Sequence, residues 1–335
     1  RNCLQFMINL QAMYRFGFAK KILLVIVLAG VMLANIVSYF HAYKFTHFAP
    51  STIEKTKNPA QLGFFAKLSA LVFGINNPRP TNTKYPRQPF KTVYLSLTQG
   101  HRTGTIECWF IPAPQSKGVV AIFHGFSGCK SMMLDHAEAL SQLGYSTLLV
   151  DFIGSGGSSG HQTSLGFHEA EEVKVCFRYL QKQGENNIIL CGASMGAVAV
   201  LKALSEDSTL TPKAVILECP FGSLRKTTLA RFQQMRIPSF PMADLLLFWG
   251  GVQSGFWAFG HVPEEYAKHV AVPVLMLHGG QDKEVSMSEI SAMFSNLRGQ
   301  KEMHIYPDAK HESYLKNYQS DWQHHVEDFV ARLGK

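Results

Sequence analysis

The most apolar stretch of the chain runs from Ile22 to Phe40 and reads ILLVIVLAGVMLANIVSYF. As a helix, these 19 residues would span about 28 Å, close to the hydrocarbon thickness of a bilayer. Lys20 and Lys21 precede the stretch, and aromatic residues such as Tyr39 lie at its end, as interfacial anchors do. The pattern therefore predicts a transmembrane helix or signal anchor over 22–40, after a basic segment over 1–21.

Two other interpretations of this stretch remain open. A helix in the core of a soluble protein can be equally apolar. A cleaved signal peptide is the other, but it needs small residues in an A-x-A-like arrangement. Met32 stands two places before Ala34, which makes a poor site, and no Cys follows Ala29-Gly30 as a lipoprotein signal would require.

Residues 41–90 are predicted to connect this helix to the rest of the chain. Their apolar part, 61–75, reads QLGFFAKLSALVFGI and predicts a helix on the membrane surface or against the main domain. Four prolines then predict an extended linker over 76–89.

From residue 91 onward, strand-like and helix-like patterns alternate. Strands are predicted at Lys91–Leu97, Thr105–Ile111, Val119–Phe123, Thr147–Phe152, Ile188–Cys191, Val215–Leu217, Val274–Leu277 and Glu302–Tyr306. Helices are predicted at Met132–Leu143, His168–Lys182, Met195–Leu204, Met287–Leu297 and Asp321–Leu333. Two early strands followed by β-α alternation indicate an α/β domain over 91–335, with a mostly parallel central sheet and helices on both faces.

The positive charge lies mainly before this domain. Residues 1–91 hold 12 basic residues and one acid, a net charge of +11, whereas the rest of the chain carries −3. Basic residues beside an apolar helix suit anionic lipid headgroups better than nucleic acid, so membrane lipids are expected partners and nucleic acid is not. The positive-inside rule predicts a single-pass protein with its catalytic domain on the extracytoplasmic side.

A candidate nucleophile stands between the predicted strand Ile188–Cys191 and the helix that begins at Met195. The sequence there is GASMG, the pattern G-x-S-x-G, with Ser194 at its centre. A sharp strand-to-helix turn exposes the serine hydroxyl, and the flanking glycines let neighbouring backbone pass without a Cβ clash. The pattern alone is weak, and its place between a strand and a helix strengthens it.

Candidates for the other two members of a triad follow in the order acid, then histidine. Asp282 ends the motif HGGQD after the strand Val274–Leu277, and His311 follows the strand Glu302–Tyr306. With HGF at His124–Phe126, these motifs make residues 91–335 resemble the α/β-hydrolase superfamily.

This resemblance implies a serine hydrolase without a cofactor. Ser194 would attack a carbonyl, His311 would accept and return the proton, and Asp282 would orient the imidazole. The backbone N–H groups of Met195 and Phe126 would form the oxyanion hole.

Alternative assignments remain for two of these residues. Glu218, after the strand Val215–Leu217, is the rival acid, because some superfamily members place the acid there. His304 is the rival histidine, although it lies inside a strand-like run. His124 is expected to shape the oxyanion loop rather than to titrate in the reaction.

Two further motifs fail. The loop DFIGSGGSSG over 151–160 has Ser159 at the third glycine position of the dinucleotide fingerprint. It looks instead like the superfamily loop D-x-R-G-x-G-x-S, with Ile153 where Arg is usual. His311-Glu312 begins the zinc pattern H-E-x-x-H, but Leu315 takes the place of the second histidine, so no metal site is expected.

A helical cap is expected as an insertion over about 221–270. Its aromatic residues are Phe248, Trp249, Phe256, Trp257 and Phe259. They could pack the cap on the core or line an apolar acyl pocket. Arg225, Lys226, Arg231 and Arg236 could meet a lipid headgroup or form a solvated face.

The sequence thus predicts a membrane-anchored serine hydrolase that cleaves a small-molecule or lipid ester or thioester. A peptidase or an acyltransferase with the same triad is the alternative. Two hypotheses from other classes are a catalytically silent binding protein on this fold and a basic membrane-surface adaptor.

Overall fold

The computed structural model describes residues 2–56, 63–99 and 102–333, and it contains one eight-stranded sheet. The strands are β1 (Lys91–Gln99), β2 (Arg102–Ile111), β3 (Val119–Phe123), β4 (Ser146–Val150), β5 (Ile188–Ala193), β6 (Ala214–Glu218), β7 (Val274–Gly279) and β8 (Lys301–Tyr306). Their order in the sheet is β1-β2-β4-β3-β5-β6-β7-β8. The pairs β1–β2 and β2–β4 are antiparallel, and all later pairs are parallel.

Eleven α-helices are described in the same residues. They are α1 (Asn2–Thr46), α2 (Phe64–Phe73), α3 (Leu134–Gln142), α4 (Glu169–Lys182), α5 (Met195–Glu206), α6 (Leu224–Gln234), α7 (Met242–Ser254), α8 (Pro263–Tyr266), α9 (Met287–Asn296), α10 (Tyr314–Asn317) and α11 (Gln319–Arg332). The mostly parallel sheet with helices on both faces confirms the predicted architecture.

The strand residues alternate between two apolar cores, as the period of two in a strand requires. Ala121 and Phe123 of β3 face the core that α4, α5 and α9 close. Val120 and Ile122 face the opposite core, which α3, α10 and α11 close. All five residues of β3 are buried, which fits a central strand covered on both faces.

Helix α1 extends beyond the predicted membrane segment at both ends. Its stretch Lys20–Thr46 is long and apolar enough to cross a membrane, and almost none of it is buried within the protein. A core helix would be largely buried, so the exposure of this stretch favours a membrane span over a core helix. The stretch is a candidate membrane span at the N-terminal end of the chain.

The residues after α1 are held by backbone hydrogen bonds to the α/β domain and to the second half of the connector. The N–H of Phe48 donates to the carbonyl of His161 at 2.7 Å, and that of Ala49 to the carbonyl of Asn77 at 2.8 Å. Residues 57–62 of the predicted connector lie outside the described residues. The predicted helix in this region is present as α2, whose Phe73 packs edge-to-face against Phe40 of α1.

Arg79, in the proline-rich segment, clamps the loop 151–160. Its guanidinium donates to the carbonyl oxygens of Ser155, Gly156, Ser158 and Gly160. Because one side chain satisfies four carbonyls, this segment is fixed to the domain rather than forming a free linker.

A buried ion pair joins the same loop to the turn after β3. Lys130 is fully buried and its ammonium contacts the carboxylates of Asp151 and Glu107. Burial alone would raise the pKa of Asp151, but the Lys130 ammonium and a hydrogen bond from the Lys130 backbone hold it below its ordinary value. The pair therefore ties the loop 151–160 to the residues that follow the candidate oxyanion turn, His124–Phe126.

Candidate active site

Ser194 occupies the sharp turn between β5 and α5, with φ 50° and ψ −112°. This backbone conformation is rare for a residue with a side chain and is strained. Favourable packing around the turn must offset the free-energy cost of the strain. The Ser194 N–H donates to the carbonyl of Glu218 on β6 at 2.7 Å, which fixes the turn to the neighbouring strand.

The two glycines of GASMG are required by close approaches of the backbone. A Cβ on Gly192 would lie 2.6 Å from the backbone N of Ala197, and one on Gly196 would lie 2.4 Å from the carbonyl oxygen of Phe123. Real Cβ atoms do not come this close, so only glycine lets α5 turn back so tightly across β5 and β3. The spacing in the sequence thus has the steric cause proposed for it.

His311 and Asp282 reach Ser194 from loops that follow β8 and β7. The Ser194 Oγ lies 2.9 Å from Nε2 of His311, and Nδ1 of His311 lies 2.7 Å from Oδ2 of Asp282. Because parallel strands place their carboxyl ends at one edge of the sheet, residues 117 positions apart meet there. The three candidates form one continuous chain of hydrogen bonds.

The surroundings lower the pKa of Asp282 and raise the pKa of His311. Burial would raise the pKa of Asp282, but hydrogen bonds from His311 and from the N–H groups of Val285 and Glu284 lower it below its ordinary value. Burial would lower the pKa of His311, and the Cys219 sulfur and the Asp282 carboxylate raise it above its ordinary value. An ionised Asp282 beside Nδ1 directs Nε2 toward Ser194.

The rival residues are engaged elsewhere. The buried carboxylate of Glu218 contacts Nε2 of His136 at 3.1 Å and accepts a hydrogen bond from Trp322 Nε1 at 2.6 Å. His304 contacts Asp321 at 2.8 Å instead of Asp282. The hydrogen-bonded chain to Ser194 therefore contains neither rival.

His304 also belongs to a group that could hold a metal ion. Among the described residues, His304, Asp321 and His325 bring one ligand atom each to within 4.8 Å of one another. All three are half-buried, and the two histidines are hydrogen-bonded or ion-paired to Asp321. They lie on β8 and α11 and have no contact with the triad in the described hydrogen bonds.

Met195 and the HGF turn that carries Phe126, the segments of the two predicted oxyanion donors, both lie beside Ser194. Met195 is the first residue of α5, where the backbone N–H has no acceptor within the helix. The HGF turn lies beside Ser194 as well, because a Cβ on Gly125 would sit 3.5 Å from the Cβ of Ser194. A developing negative charge at this place would face the N-terminus of α5.

His124 shapes this turn, as the sequence predicted, through two hydrogen bonds. Its Nδ1 contacts the carbonyl of Gly125 at 2.8 Å, and its Nε2 accepts from the N–H of Phe152 at 3.2 Å. The ring is almost fully buried, and burial lowers its pKa. A neutral ring with its proton on Nδ1 satisfies both contacts.

The end of α1 packs onto Phe126, a contact that sequence patterns did not indicate. The rings of Phe45 and Phe126 stack at 4.7 Å between centroids, and Phe48 lies 6.0 Å from Phe126. The guanidinium of Arg231, from cap helix α6, lies 5.0 Å from the Phe45 ring. The candidate membrane helix thus supplies part of the wall beside the oxyanion turn.

The cap aromatics serve more than one role, and three of them share an apolar cleft. Phe256 stacks on Phe167 at 4.2 Å and packs the cap on the core. Trp249 packs against Tyr39 of α1, and Trp257 is exposed. An open apolar cleft of about 360 Å³ on the cap is lined by Leu247, Phe248, Gly251, Val252, Gly255, Phe256, Trp257 and Ala258, none of which belongs to the triad.

Comparison with known proteins gives the same fold and a set of hydrolase relatives. The family model for serine aminopeptidase S33 (Hydrolase_4) matches residues 114–248. The Pyrococcus furiosus esterase Pf2001 superposes with a TM-score of 0.64 at 22% identity, covering 77% of this chain and 97% of the esterase.

Sequence relatives are similarly distant. The uncharacterized protein YqkD of Bacillus subtilis is 25% identical over 233 residues, which cover 68% of this chain and 76% of that protein. The lysophosphatidylserine lipase ABHD12 of Mus musculus is 29% identical over 192 residues, which cover 54% of this chain and 46% of the lipase.

We predict that Gly196→Ala destabilises the protein. The added Cβ would lie 2.4 Å from the carbonyl oxygen of Phe123, and overpacking of this kind costs about 1–3 kcal/mol in free energy of unfolding. Thermal unfolding of the full chain in detergent micelles measures the effect. Gly250→Ala is the matched control, because its Cβ would meet Ala42 at 4.0 Å. Equal midpoints for the two variants would contradict the steric account of the turn.

Proposed function

Because the chain belongs to the α/β-hydrolase superfamily, we propose that it is a membrane-anchored serine hydrolase that cleaves an ester or thioester through an acyl-enzyme. The observation that carries the proposal is the chain of hydrogen bonds from Ser194 through His311 to Asp282, at 2.9 and 2.7 Å. These distances lie within the range in which a base can take the proton from a nucleophile. The substrate class we propose is an apolar or lipid-like acyl ester.

In the proposed reaction, the Ser194 oxygen attacks the substrate carbonyl while His311 Nε2 takes its proton. Asp282 holds Nδ1–H and stabilises the imidazolium that forms. The N–H groups of Met195 and Phe126 donate to the oxyanion of the tetrahedral intermediate. His311 then protonates the leaving alcohol, and the same steps with water release the acid and restore Ser194.

Two features favour a lipid-like ester over the alternatives. The candidate membrane helix reaches the wall of the site through Phe45 and Phe126, and the cap carries an apolar cleft. Relatives named as an esterase and as a lipase carry out ester hydrolysis. The family name serine aminopeptidase makes a peptidase the second candidate.

The remaining hypotheses fit the structure less well. A catalytic triad is effective only when all three residues are present. A binding protein without catalytic activity would have no use for the complete hydrogen-bonded set of Ser194, His311 and Asp282. In a membrane-surface adaptor, the function would lie in residues 1–91 alone. Arg79 of that segment, however, donates a hydrogen bond to the carbonyl of Gly156 in the loop 151–160 of the domain. Acyl transfer requires the same acyl-enzyme, with another alcohol replacing water.

For the location, we propose a single membrane span with the catalytic domain on the extracytoplasmic side. Lys20 and Lys21 precede the apolar part of α1, and basic residues are retained on the cytoplasmic side of a membrane helix.

The direct test of the proposed nucleophile is Ser194→Ala. We expect kcat/KM for a soluble short-chain ester to fall on the order of 10⁴-fold or more, because no other group can form the acyl-enzyme. Steady-state kinetics of the full chain in micelles measure it. Ser205→Ala, at the other end of α5, is the matched control and should retain activity. A Ser194→Ala enzyme with undiminished turnover would overturn the assignment.

The acid is tested by Asp282→Asn beside Glu218→Gln. We expect Asp282→Asn to lower kcat by roughly 10⁴-fold and Glu218→Gln to retain most of the wild-type kcat.

The same pair of variants predicts a pH dependence. His311 acts as a base only when it is neutral, so the activity of the wild type should rise as the pH increases through the raised pKa of His311. Removing the Asp282 charge lowers that pKa, so the midpoint of the residual activity should move to lower pH. The assignment fails if Glu218→Gln shows the large loss and Asp282→Asn does not.

A further inference from the structure

Helix α7 of the cap is joined to the last turns of the candidate membrane span. Trp249 Nε1 donates to the side-chain oxygen of Asn35 at 3.2 Å, and Gln253 Nε2 donates to the Tyr39 carbonyl at 2.9 Å. The rings of Tyr39 and Trp249 pack edge-to-face at 5.4 Å. These contacts fix the position of the cap along the axis of α1.

With Phe40, the last residue of the apolar stretch, taken as the end of the hydrocarbon, this contact lies just inside the boundary between hydrocarbon and water. Asn35 lies five residues before Phe40, the end of the apolar stretch, and five residues of helix rise about 8 Å. Helix α7 itself reads MADLLLFWGGVQS and has one charged residue, Asp244. A helix so apolar, beside the end of a membrane span, lies where interfacial helices bury their apolar faces.

Most of the exposed large apolar side chains of the domain lie on α7 or in the residues that flank it in sequence. Among the described residues from 91 onward, nine large apolar side chains are exposed, and six of them are Met235, Ile237, Phe240, Phe248, Val252 and Trp257. Phe240 is 82% exposed and Trp257 is 64% exposed. Soluble domains rarely expose so many large apolar side chains together, so these residues indicate a surface that contacts another apolar surface.

We propose that this cap surface, formed by α7 and the flanking residues 235–241 and 257, inserts into the interfacial layer of the bilayer that α1 spans. The occupant is the lipid surface itself, because the cluster continues directly from the contact between α7 and the span. Trp257 lies in it as an interfacial tryptophan does. The inference rests on the proposed function in one respect: an ester lipid would enter the site from the membrane, past Phe45 and Phe126.

Insertion is tested by fluorescence quenching, independently of any activity. The full chain is reconstituted in phosphatidylcholine vesicles with and without brominated acyl chains. Of the four tryptophans, Trp109 and Trp322 are buried and Trp249 packs on α1. The difference between wild type and Trp257→Phe therefore isolates Trp257. We expect brominated lipid to reduce the Trp257 emission about twofold or more. Emission that is insensitive to bromine but quenched by aqueous iodide would overturn the proposal.

Entry from the membrane is tested with two substrates. Ile237→Ser/Phe240→Ser should lower hydrolysis of an ester lipid in vesicles about tenfold and leave hydrolysis of a soluble short-chain ester unchanged. Tyr94→Ser is the matched control, because Tyr94 is 63% exposed on β1, away from the cap. Equal loss on both substrates, or no loss on either, would contradict entry from the membrane. If the wild type hydrolyses neither substrate, the proposed function fails, while the quenching result still decides insertion.

Discussion

The close approach of three backbone segments at Ser194 is the constraint on which the candidate site depends. Gly192 and Gly196 let α5 cross β5 and β3 at distances that no side chain would permit. The strain at Ser194 is held by a hydrogen bond to β6 and by packing of the buried α5 on the sheet. Because the sheet is parallel here, the loops that carry Asp282 and His311 emerge at the same edge. The hydrogen-bonded geometry of Ser194, His311 and Asp282 therefore follows from the sheet topology and the tight turn at Ser194.

A second set of contacts joins the site to the candidate membrane span. The buried Lys130–Asp151 pair holds the turn after β3 to the loop 151–160, and Arg79 clamps that loop to the segment after the candidate span. Phe45 and Phe48 then pack on Phe126 of the oxyanion turn. The end of α1 is therefore part of the surroundings of the site.

Local patterns predicted the elements well because they depend on neighbours in sequence. Strand β3 has the predicted bounds, and the glycines around Ser194 stand where a tight turn needs them. Contacts between distant segments could not be predicted from periodicity. The clamp by Arg79 joins residues about eighty positions apart, and the pair Asn35–Trp249 joins residues 214 positions apart. Sequence reasoning also left Glu218 open as the acid, and only its contacts with His136 and Trp322 separate it from the triad.

The most direct measurement of the central claim is covalent labelling of the full chain in micelles with a fluorophosphonate, followed by peptide mass spectrometry. Such reagents react with a serine whose proton is removed by a neighbouring base. The account predicts one adduct, on Ser194, with a rate that falls sharply in His311→Ala. An adduct on another residue, or none on a protein shown to be folded by its thermal transition, would contradict the assignment of Ser194 as an activated nucleophile.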